Sequence, residues 1–260
     1  MSDSSGITVV PVANQAGSAG KTTTVVTLAA LLAEAGRRVL VVDLDGQANA
    51  TAWLGVNPDT VTTTAGDVML RRRDLADAVV PTNTPGVRLV PSSPEMDAAA
   101  VELSRVTGGE QRLRLALVDV TDVDVVLLDC PGALSVVTIA AMVAATAVVT
   151  VTAPTAKELA GVPRLEETVA EVAEAYNPQL MLAGIVPCIV PSNAGALYAE
   201  ALAMLTDAYP GITTPSVRRS VRAPEAYAQE VPLPAHAPRE PVTDDYRAVL
   251  GYLQGKGVLP

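Results

Sequence analysis

The sequence of 260 residues contains no phenylalanine, and only 3% of its residues are aromatic. Platforms on which single-stranded bases could stack are therefore scarce, which argues against a single-strand binder. Basic residues are also few: the net charge is −10, so any nucleic-acid contact must come from a local patch. Hydrophobic residues make up 49% of this globular chain, and its core must consist mainly of Val, Leu, Ala and Ile.

Cysteines and targeting signals are equally sparse. The two cysteines, Cys130 and Cys188, are far apart and have no metal-binding spacing, which fits buried thiols in a reducing compartment. The N-terminus has no basic region before an apolar run, and Ser2 excludes the myristoylation pattern. We therefore expect a cytoplasmic protein with no membrane association.

One long stretch without charge, between Cys130 and Ala156, raises the possibility of a membrane span. Pro131 and Pro154 lie near its two ends, and the β-branched run 148–152 divides it into a predicted helix followed by a predicted strand. This pattern favours the interior of an α/β domain over a membrane span.

Apolar runs of strand length alternate with segments of helical periodicity along the chain. Because such strands are typical of a parallel sheet covered on both faces, we predict an α/β fold with a mostly parallel, twisted sheet of about seven or eight strands. Residues 1–6 are expected to be flexible, 7–260 to form one domain, 217–241 to be an irregular surface excursion, and Gly36 to cap the first helix. The predicted strands are 7–13, 39–43, 87–90, 123–129, 147–152 and 180–190, and the predicted helices are 21–35, 94–106, 110–120, 135–145, 157–175, 194–208 and 243–254.

The first predicted strand leads directly into NQAGSAGKTTT (14–24) and then into a helix, which is the context that a phosphate-binding loop requires. Glycines let backbone N–H groups converge on phosphate oxygens, the helix N-terminus adds its positive dipole end, and Lys21 adds a point charge. The strict phosphate-loop pattern G-x-x-x-x-G-K-T fails here, because Gln15 stands where its first glycine should be. The alternative interpretation of the segment is therefore a Gly/Ser helix cap that binds no phosphate. The predicted nucleotide-binding residues are Gly17, Ser18, Ala19, Gly20, Lys21, Thr22 and Thr23.

Aspartates end two later strands. The segment 41–51 places Asp43 and Asp45 at the carboxyl edge of the sheet, where ligands of open α/β sheets bind, and the strand 123–129 ends in Asp129. Either Asp43 or Asp45 alone could cap a turn, but the pair suits magnesium-linked water and an oriented attacking water. Asp129 is placed as expected for a carboxylate that holds magnesium through water. We therefore predict a magnesium site that includes Thr22, Asp43 and Asp129.

These motifs resemble those of the ParA family of DNA-partition ATPases, in the deviant Walker class with MinD and the nitrogenase iron protein. The resemblance covers nearly the whole chain and includes the segments 74–93, 127–134 and 216–226. It implies that the ligands are ATP or ADP with Mg²⁺. It also implies the roles of six residues. Lys21 and Asp45 would be catalytic, with Asp45 positioning the hydrolytic water, and Thr22 and Asp129 would serve the magnesium ion. Pro187 and Val217 would border the adenine.

The chain departs from the family in its phosphate loop. The family's loop usually reads KGGxGKT, and its first lysine reaches the partner's nucleotide in an ATP-sandwiched dimer; here Ala16 takes that place and Ser18 replaces a glycine. A charge donated in trans to phosphoryl transfer is worth roughly 10³–10⁵ in rate, so we expect weak hydrolysis or a substitute. Lys157 is the candidate substitute, and an ordinary solvated helix start is the alternative. The chain has three lysines in all, and the other two are Lys21 and Lys256.

Three arginines near the end of the chain, Arg218, Arg219 and Arg222, match the family's segment that binds DNA nonspecifically. Their guanidinium groups could engage phosphates without reading bases. The alternative is a solvated loop with local partners such as Glu225. A second basic run, 71–73, is expected to be solvated.

The resemblance implies an ATPase that forms a homodimer on binding ATP and coats double-stranded DNA. With a ParB-like centromere-binding partner it would segregate plasmid, phage or chromosomal DNA, and so associate with the nucleoid. A MinD-like membrane-positioning ATPase is one alternative, but it needs a basic amphipathic C-terminal helix, and the tail 244–260 has one Arg and one Lys and begins with paired acids. A second alternative is a nucleotide-dependent switch with little or no hydrolysis. The missing trans lysine at Ala16 favours this alternative, whereas Asp45, which would position the attacking water, speaks against it.

Overall fold

The computed structural model describes residues 7–15, 20–193 and 195–260, and its centre is a seven-stranded sheet. The strands are β1 (Thr8–Ala13), β2 (Val39–Asp43), β3 (Val80–Pro81), β4 (Val87–Val90), β5 (Val125–Asp129), β6 (Val148–Thr152) and β7 (Leu182–Pro187). Their order is β3-β4-β2-β5-β1-β6-β7; β3 is antiparallel to β4, and the other neighbours are parallel. The predicted α/β class with a mostly parallel sheet is therefore confirmed.

Helices occupy both faces of this sheet. Three parts of the chain for which the sequence makes predictions lie outside the described residues: 1–6, 16–19 and 194, the first residue of the predicted helix 194–208. The helices in the described ranges are α1 (Lys21–Glu34), α2 (Asn49–Trp53), α3 (Ala65–Met69), α4 (Leu75–Ala78), α5 (Met96–Leu103), α6 (Arg112–Leu117), α7 (Val136–Ala144), α8 (Ala156–Leu159), α9 (Gly161–Ala175), α10 (Ala196–Ala208), α11 (Arg222–Ala228), α12 (Leu233–His236) and α13 (Pro241–Gly255).

Alternate side chains of the central strands enter two separate cores, one on each face. Val41 and Leu127 join the core that contains α1 and α13, whereas Leu40 and Leu128 join the core that contains α7 and α9. Burial on both faces explains why these strands read as nearly continuous apolar runs.

The first helix ends as the sequence predicts. Gly36 has a φ of +81°, a left-handed conformation that glycine adopts without steric cost. Its N–H donates to the Ala33 carbonyl at 2.9 Å, and the Arg37 N–H donates to the Leu32 carbonyl at 3.0 Å. These bonds close the last turn and direct the chain into β2.

The uncharged stretch after Cys130 forms α7 and then β6, as predicted. Both elements are largely buried. Within the ranges that the structure describes, we find no helix with the length and apolar character needed to cross a bilayer.

The prediction that 217–241 is an irregular surface excursion is wrong. The segment contains α11 and α12, and Ala226 and Leu233 are fully buried in the core beside α1. Trp53 also donates its indole N–H to the Val231 carbonyl at 2.8 Å. Prolines are tolerated here because they lie in the first turn of a helix or between helices.

Other differences concern short elements. The strand β3 and the helices α2, α3 and α4 were not predicted, because runs of two to five residues carry no usable hydrophobic period. The predicted helix 157–175 is two helices, α8 and α9, and the predicted strand 180–190 ends earlier, at Pro187.

We expect Leu233→Ala to lower the free energy of unfolding by about 2–5 kcal/mol, because it leaves a cavity in the core. Leu197→Ala is the matched control, since Leu197 is 76% exposed, and should change stability by no more than about 0.5 kcal/mol. Urea denaturation of both variants measures the difference. Equal effects would mean that the segment containing Leu233 does not belong to the core.

Candidate functional site

Three neighbouring strands bring the predicted site residues to one edge of the sheet. In the order β2-β5-β1, Asp43 pairs in register with Asp129, and Asp129 pairs with Val12 near the end of β1. Because all three strands are parallel, their carboxyl ends meet where β1 leads towards α1. Side chains distant in sequence are therefore grouped at this edge.

The loop that precedes α1 is described at its two ends. Gly20 has a φ of +93°, which favours glycine, and a Cβ added there would lie 3.7 Å from the Cβ of Cys188. Lys21 is buried, and its ammonium group donates to the Asn14 Oδ1 at 2.6 Å. Asn14 in turn donates to the Val151 carbonyl at 3.3 Å, so the lysine is positioned by both β1 and β6. The predicted residues Gly17, Ser18 and Ala19, and the departure at Ala16, lie outside the described residues.

Thr22 and Asp129 form the central contact of the site. The Thr22 hydroxyl donates to the Asp129 Oδ2 at 2.7 Å. Asp129 is fully buried, and its Oδ1 has no hydrogen-bond partner among the described residues. Burial, and next the nearby charge of Asp43, raise the pKa of the Asp129 carboxyl well above its usual range. A buried acceptor without a donor is the kind of oxygen that a bound cation or its water shell satisfies.

Asp43 and Asp45 have different surroundings. Asp43 is fully buried; its Oδ2 accepts hydrogen bonds from the Thr51 N–H at 2.9 Å and hydroxyl at 2.7 Å, and its Oδ1 accepts from the Asp45 N–H. Burial raises the pKa of Asp43 to about 6. Asp45 is partly exposed and accepts one hydrogen bond from the Gln47 N–H at 3.0 Å. Asp43 thus shapes the turn, while Asp45 keeps oxygen lone pairs available to a ligand.

These residues fit a magnesium ion. The described residues contain no cluster of three or more His, Cys, Asp or Glu side chains that could hold a metal ion by themselves. Magnesium in phosphate sites is usually held by one or two protein oxygens, with phosphates and waters completing its shell. The Thr22 hydroxyl and the Asp129 carboxylate supply such oxygens side by side.

A cavity of about 420 Å³ adjoins Gly20, Thr22 and Thr23. Its wall includes Val217, and the Pro187 carbonyl accepts a hydrogen bond from the Val217 N–H at 2.7 Å. This cavity provides a partly apolar space next to the phosphate loop, with the dimensions of small-molecule sites.

Sequence reasoning missed two aromatic residues of this cavity, Trp53 and Tyr227. Their rings meet edge to face, with centroids 5.4 Å apart, and the Tyr227 hydroxyl contacts the Asn49 Oδ1 at 3.2 Å. Trp53 is on α2 and Tyr227 on α11, neither of which was predicted as a helix. No local pattern signals their meeting, because it depends on the docking of distant segments.

Lys157 is exposed in the short helix α8, which follows β6 at the same edge of the sheet. The adjoining helix α9 approaches the first loop closely: a Cβ added at Gly161 would lie 3.6 Å from the Cβ of Gln15. The structure thus places α8 at the carboxyl edge of the sheet, with the Lys157 side chain exposed.

The three arginines expected to bind DNA differ in their contacts. Arg218 binds both carboxylate oxygens of Asp245, at 2.6 and 2.8 Å. Arg222 binds Glu225 at 2.9 Å and Glu240 at 3.3 Å, so the alternative of local acidic partners holds for this residue. Arg219 is exposed and forms no ion pair within the described ranges. Arg218 and Arg219 line the 420 Å³ cavity, and Arg222 begins α11 three residues later.

We expect Asp129→Asn to raise the midpoint of thermal unfolding of the ligand-free protein, since it removes a charge that is costly to bury. A carboxyl whose pKa is raised on folding stabilises the fold fully below its unfolded pKa, and this contribution is lost as pH rises through the folded pKa. The advantage of the variant should therefore grow as the pH rises above about 4, the ordinary pKa of an aspartate. A gain of several degrees corresponds to roughly 1–2 kcal/mol in a chain of this size.

Asp124→Asn is the control for this measurement. The Arg38 guanidinium lowers the pKa of Asp124 to about 2, so the same substitution should slightly lower the midpoint. A lower midpoint for Asp129→Asn would contradict the electrostatic account of the site.

Comparisons with known proteins agree with this geometry. A family model described as an AAA domain matches residues 7–182. The chain is 37% identical to the chromosome-partitioning ATPase Soj of Thermus thermophilus over 92% of each chain. It is 36% identical to the chromosome partitioning protein ParA of Myxococcus xanthus over 72% of this chain and 66% of that one.

A solved structure shares both the fold and part of the sequence. The cobyrinic acid a,c-diamide synthase of Mycobacterium smegmatis, solved with a bound ATP analogue and magnesium, superposes with a TM-score of 0.78 at 33% identity. The match covers 86% of this chain and 92% of that one. Taken with the matches to Soj and ParA, the ordered motifs at one sheet edge show that this chain belongs to the ParA/Soj family of partitioning ATPases.

Proposed function

We propose that this protein binds ATP with Mg²⁺, hydrolyses it, and uses the nucleotide to control a homodimer that binds DNA nonspecifically during segregation. The observation that carries the proposal is the joint placement of Lys21, Thr22 and Asp129 at the carboxyl edge of the sheet. The Thr22–Asp129 hydrogen bond of 2.7 Å makes these groups one site. The 33% identical synthase that was solved with an ATP analogue and magnesium supports the choice of ligand.

The residues of the site divide the work between them. Lys21 supplies positive charge to the phosphates, and Asn14 and the end of β1 hold it in place. Thr22 and Asp129 offer oxygens to Mg²⁺, which when bound neutralises phosphate charge. Asp45 has lone pairs available to orient a water molecule for attack, and its N–H bond to Asp43 fixes its backbone.

The 420 Å³ cavity takes the base in this proposal. It begins at Gly20 and Thr22, where the phosphates bind, and extends to Val217 and the edge-to-face pair of Trp53 and Tyr227. A planar base could pack against these apolar and aromatic surfaces. The cavity is therefore continuous with the phosphate site, and a nucleoside whose phosphates bind there could extend into it.

Dimerisation would place a second copy over the same edge of the sheet. The lysine that the family donates across the dimer is Ala16 here, and Lys157 is the lysine that this sequence offers at that edge. Its exposed position on α8 suits a contact in trans better than one within its own site. We therefore propose Lys157 as the substitute donor.

Lys157→Ala should lower the ATP turnover number at least tenfold, because a charge donated in trans to phosphoryl transfer is worth roughly 10³–10⁵ in rate. Nucleotide affinity of the monomer should stay unchanged. Lys256→Ala is the matched control, since Lys256 follows α13 and lies over the ring of Tyr252. Unchanged turnover in Lys157→Ala, measured by phosphate release, would leave a nucleotide-dependent switch with slow hydrolysis as the better account.

DNA binding would use the surface around Arg219. Arg219 is exposed and has no ion pair within the described ranges, and Arg218 and Arg222 lie next to it. Surface ion pairs are worth only about 0–1 kcal/mol, so DNA phosphates can compete for the two paired arginines. Because each arginine that contacts a phosphate displaces counterions from the DNA, we expect this binding to weaken steeply with salt.

The test combines ATP hydrolysis, with and without double-stranded DNA, and ATP-dependent retardation of DNA across a salt series. Arg219→Ala should weaken retardation and reduce the slope of log affinity against log salt concentration by about 1, as expected for one lost phosphate contact. Arg105→Ala, at an exposed arginine elsewhere, should leave both unchanged. If the wild-type chain gives no retardation at low salt, the segregation role is wrong.

Amide synthesis is a second candidate, because the synthase named above is 33% identical. The structure disfavours an accessible thiol nucleophile for such chemistry. Cys130 and Cys188 are both buried, and burial raises the pKa of Cys188 to about 12 and that of Cys130 further. Stimulation of ATP turnover by a carboxylated corrinoid, and not by DNA, would favour this candidate.

A further inference from the structure

A second cavity, of about 810 Å³, lies at the opposite end of the sheet from the nucleotide site. We call it the basal cavity. Its wall includes Leu40 near the start of β2, Arg88 near the start of β4 and Val123 just before β5. Since Leu40 and Asp43 are three residues apart on one strand, about 10 Å of sheet separates the basal cavity from the nucleotide site.

The basal cavity carries positive charge on a strongly acidic chain. Its lining has four guanidinium groups and two carboxylates, although the chain as a whole has a net charge of −10. None of Arg71, Arg73 and Arg112 forms an ion pair within the described ranges. The charged residues of the lining are Arg71, Arg73, Arg88, Arg112, Asp74 and Asp119.

Beneath these charges the wall is aliphatic. Leu40, Val68, Leu75 and Val123 are buried side chains that face the cavity, and Leu115 is 46% exposed at its rim. A ligand that fills the space must therefore combine an apolar body with negative charge. Arginine suits the charged part, because its planar fork binds phosphate or carboxylate oxygens in pairs.

The backbone at Arg71 is unusual in a way that supports a use for its side chain. Arg71 has a φ of +57° just after α3, where its N–H and that of Arg72 close the helix end in the manner usual for glycine. Two other residues with a left-handed backbone lie near a cavity. Ile189 lines the 420 Å³ cavity, and the Asp122 carbonyl accepts a hydrogen bond at 2.8 Å from Arg88, which lines the basal cavity. Such conformations concentrate at functional sites.

We propose that the basal cavity binds a small anionic amphiphile, with its aliphatic body against the buried wall and its phosphate or carboxylate on Arg71, Arg73 and Arg112. The volume is within the range of about 300–1,000 Å³ that is usual for small-molecule sites. Arg71 and Arg73 are exposed, in agreement with the expectation that the run 71–73 is solvated, and their guanidinium groups are therefore accessible to such a ligand.

The test is titration calorimetry of the full chain with monomeric dodecyl phosphate, below its micelle concentration. We expect one molecule bound per chain, with affinity at least tenfold above that of inorganic phosphate and of dodecyltrimethylammonium. Arg112→Glu and Arg71→Gly should each weaken binding at least tenfold. Since glycine suits the backbone at this position, Arg71→Gly keeps the fold, and loss of binding reports the missing guanidinium.

Arg105→Glu is the matched control, because Arg105 is exposed outside the cavity and should not alter binding. Equal binding of the cationic detergent would mean adsorption to apolar surface and would overturn the proposal. So would an unchanged affinity in Arg112→Glu, or no binding at all. Sedimentation of the chain with phosphatidylglycerol vesicles, without binding of the monomeric amphiphile, would assign the arginines to a lipid surface instead.

Discussion

The hydrogen bond from the Thr22 hydroxyl to Asp129 is the contact on which the rest of the site depends. It joins the first turn of α1 to the end of β5, two elements that are 107 residues apart in sequence. Around it, the parallel register of β2, β5 and β1 sets Asp43 beside Asp129 and sends the chain from β1 towards Lys21. A shift of one residue in any of these pairings would turn the end residues to the other face of the sheet.

The same arrangement is electrostatically costly without a ligand. Asp43 and Asp129 are adjacent and fully buried, and burial raises the pKa of both. An uncompensated buried carboxylate favours any cation or ligand that restores its lost solvation. Binding would therefore stabilise the fold as well as prepare the site, by about 2.7 kcal/mol at a ligand concentration one hundred times its dissociation constant.

Much of this molecule could be predicted from its sequence, and the failures have a common cause. The long strands were predicted because burial on both faces leaves nearly continuous apolar runs, and Gly36 was predicted because few residues tolerate its conformation. The helices α11 and α12 were missed because tertiary burial of Ala226 and Leu233 decides their structure, against a local composition rich in proline. Trp53 and Tyr227 were missed for the same reason, since their contact forms only when α11 docks beside α2.

We propose that ATP and Mg²⁺ bind at the edge formed by β1, β2 and β5, and fluorescence tests this most directly. Trp53 is the only tryptophan of the chain and lines the cavity beside Thr22, so its fluorescence is a specific reporter of this site. We expect a saturable change in emission with one ATP per chain, which requires Mg²⁺ and is lost in Lys21→Ala. A change that is independent of Mg²⁺, or that persists unaltered in Lys21→Ala, would contradict it.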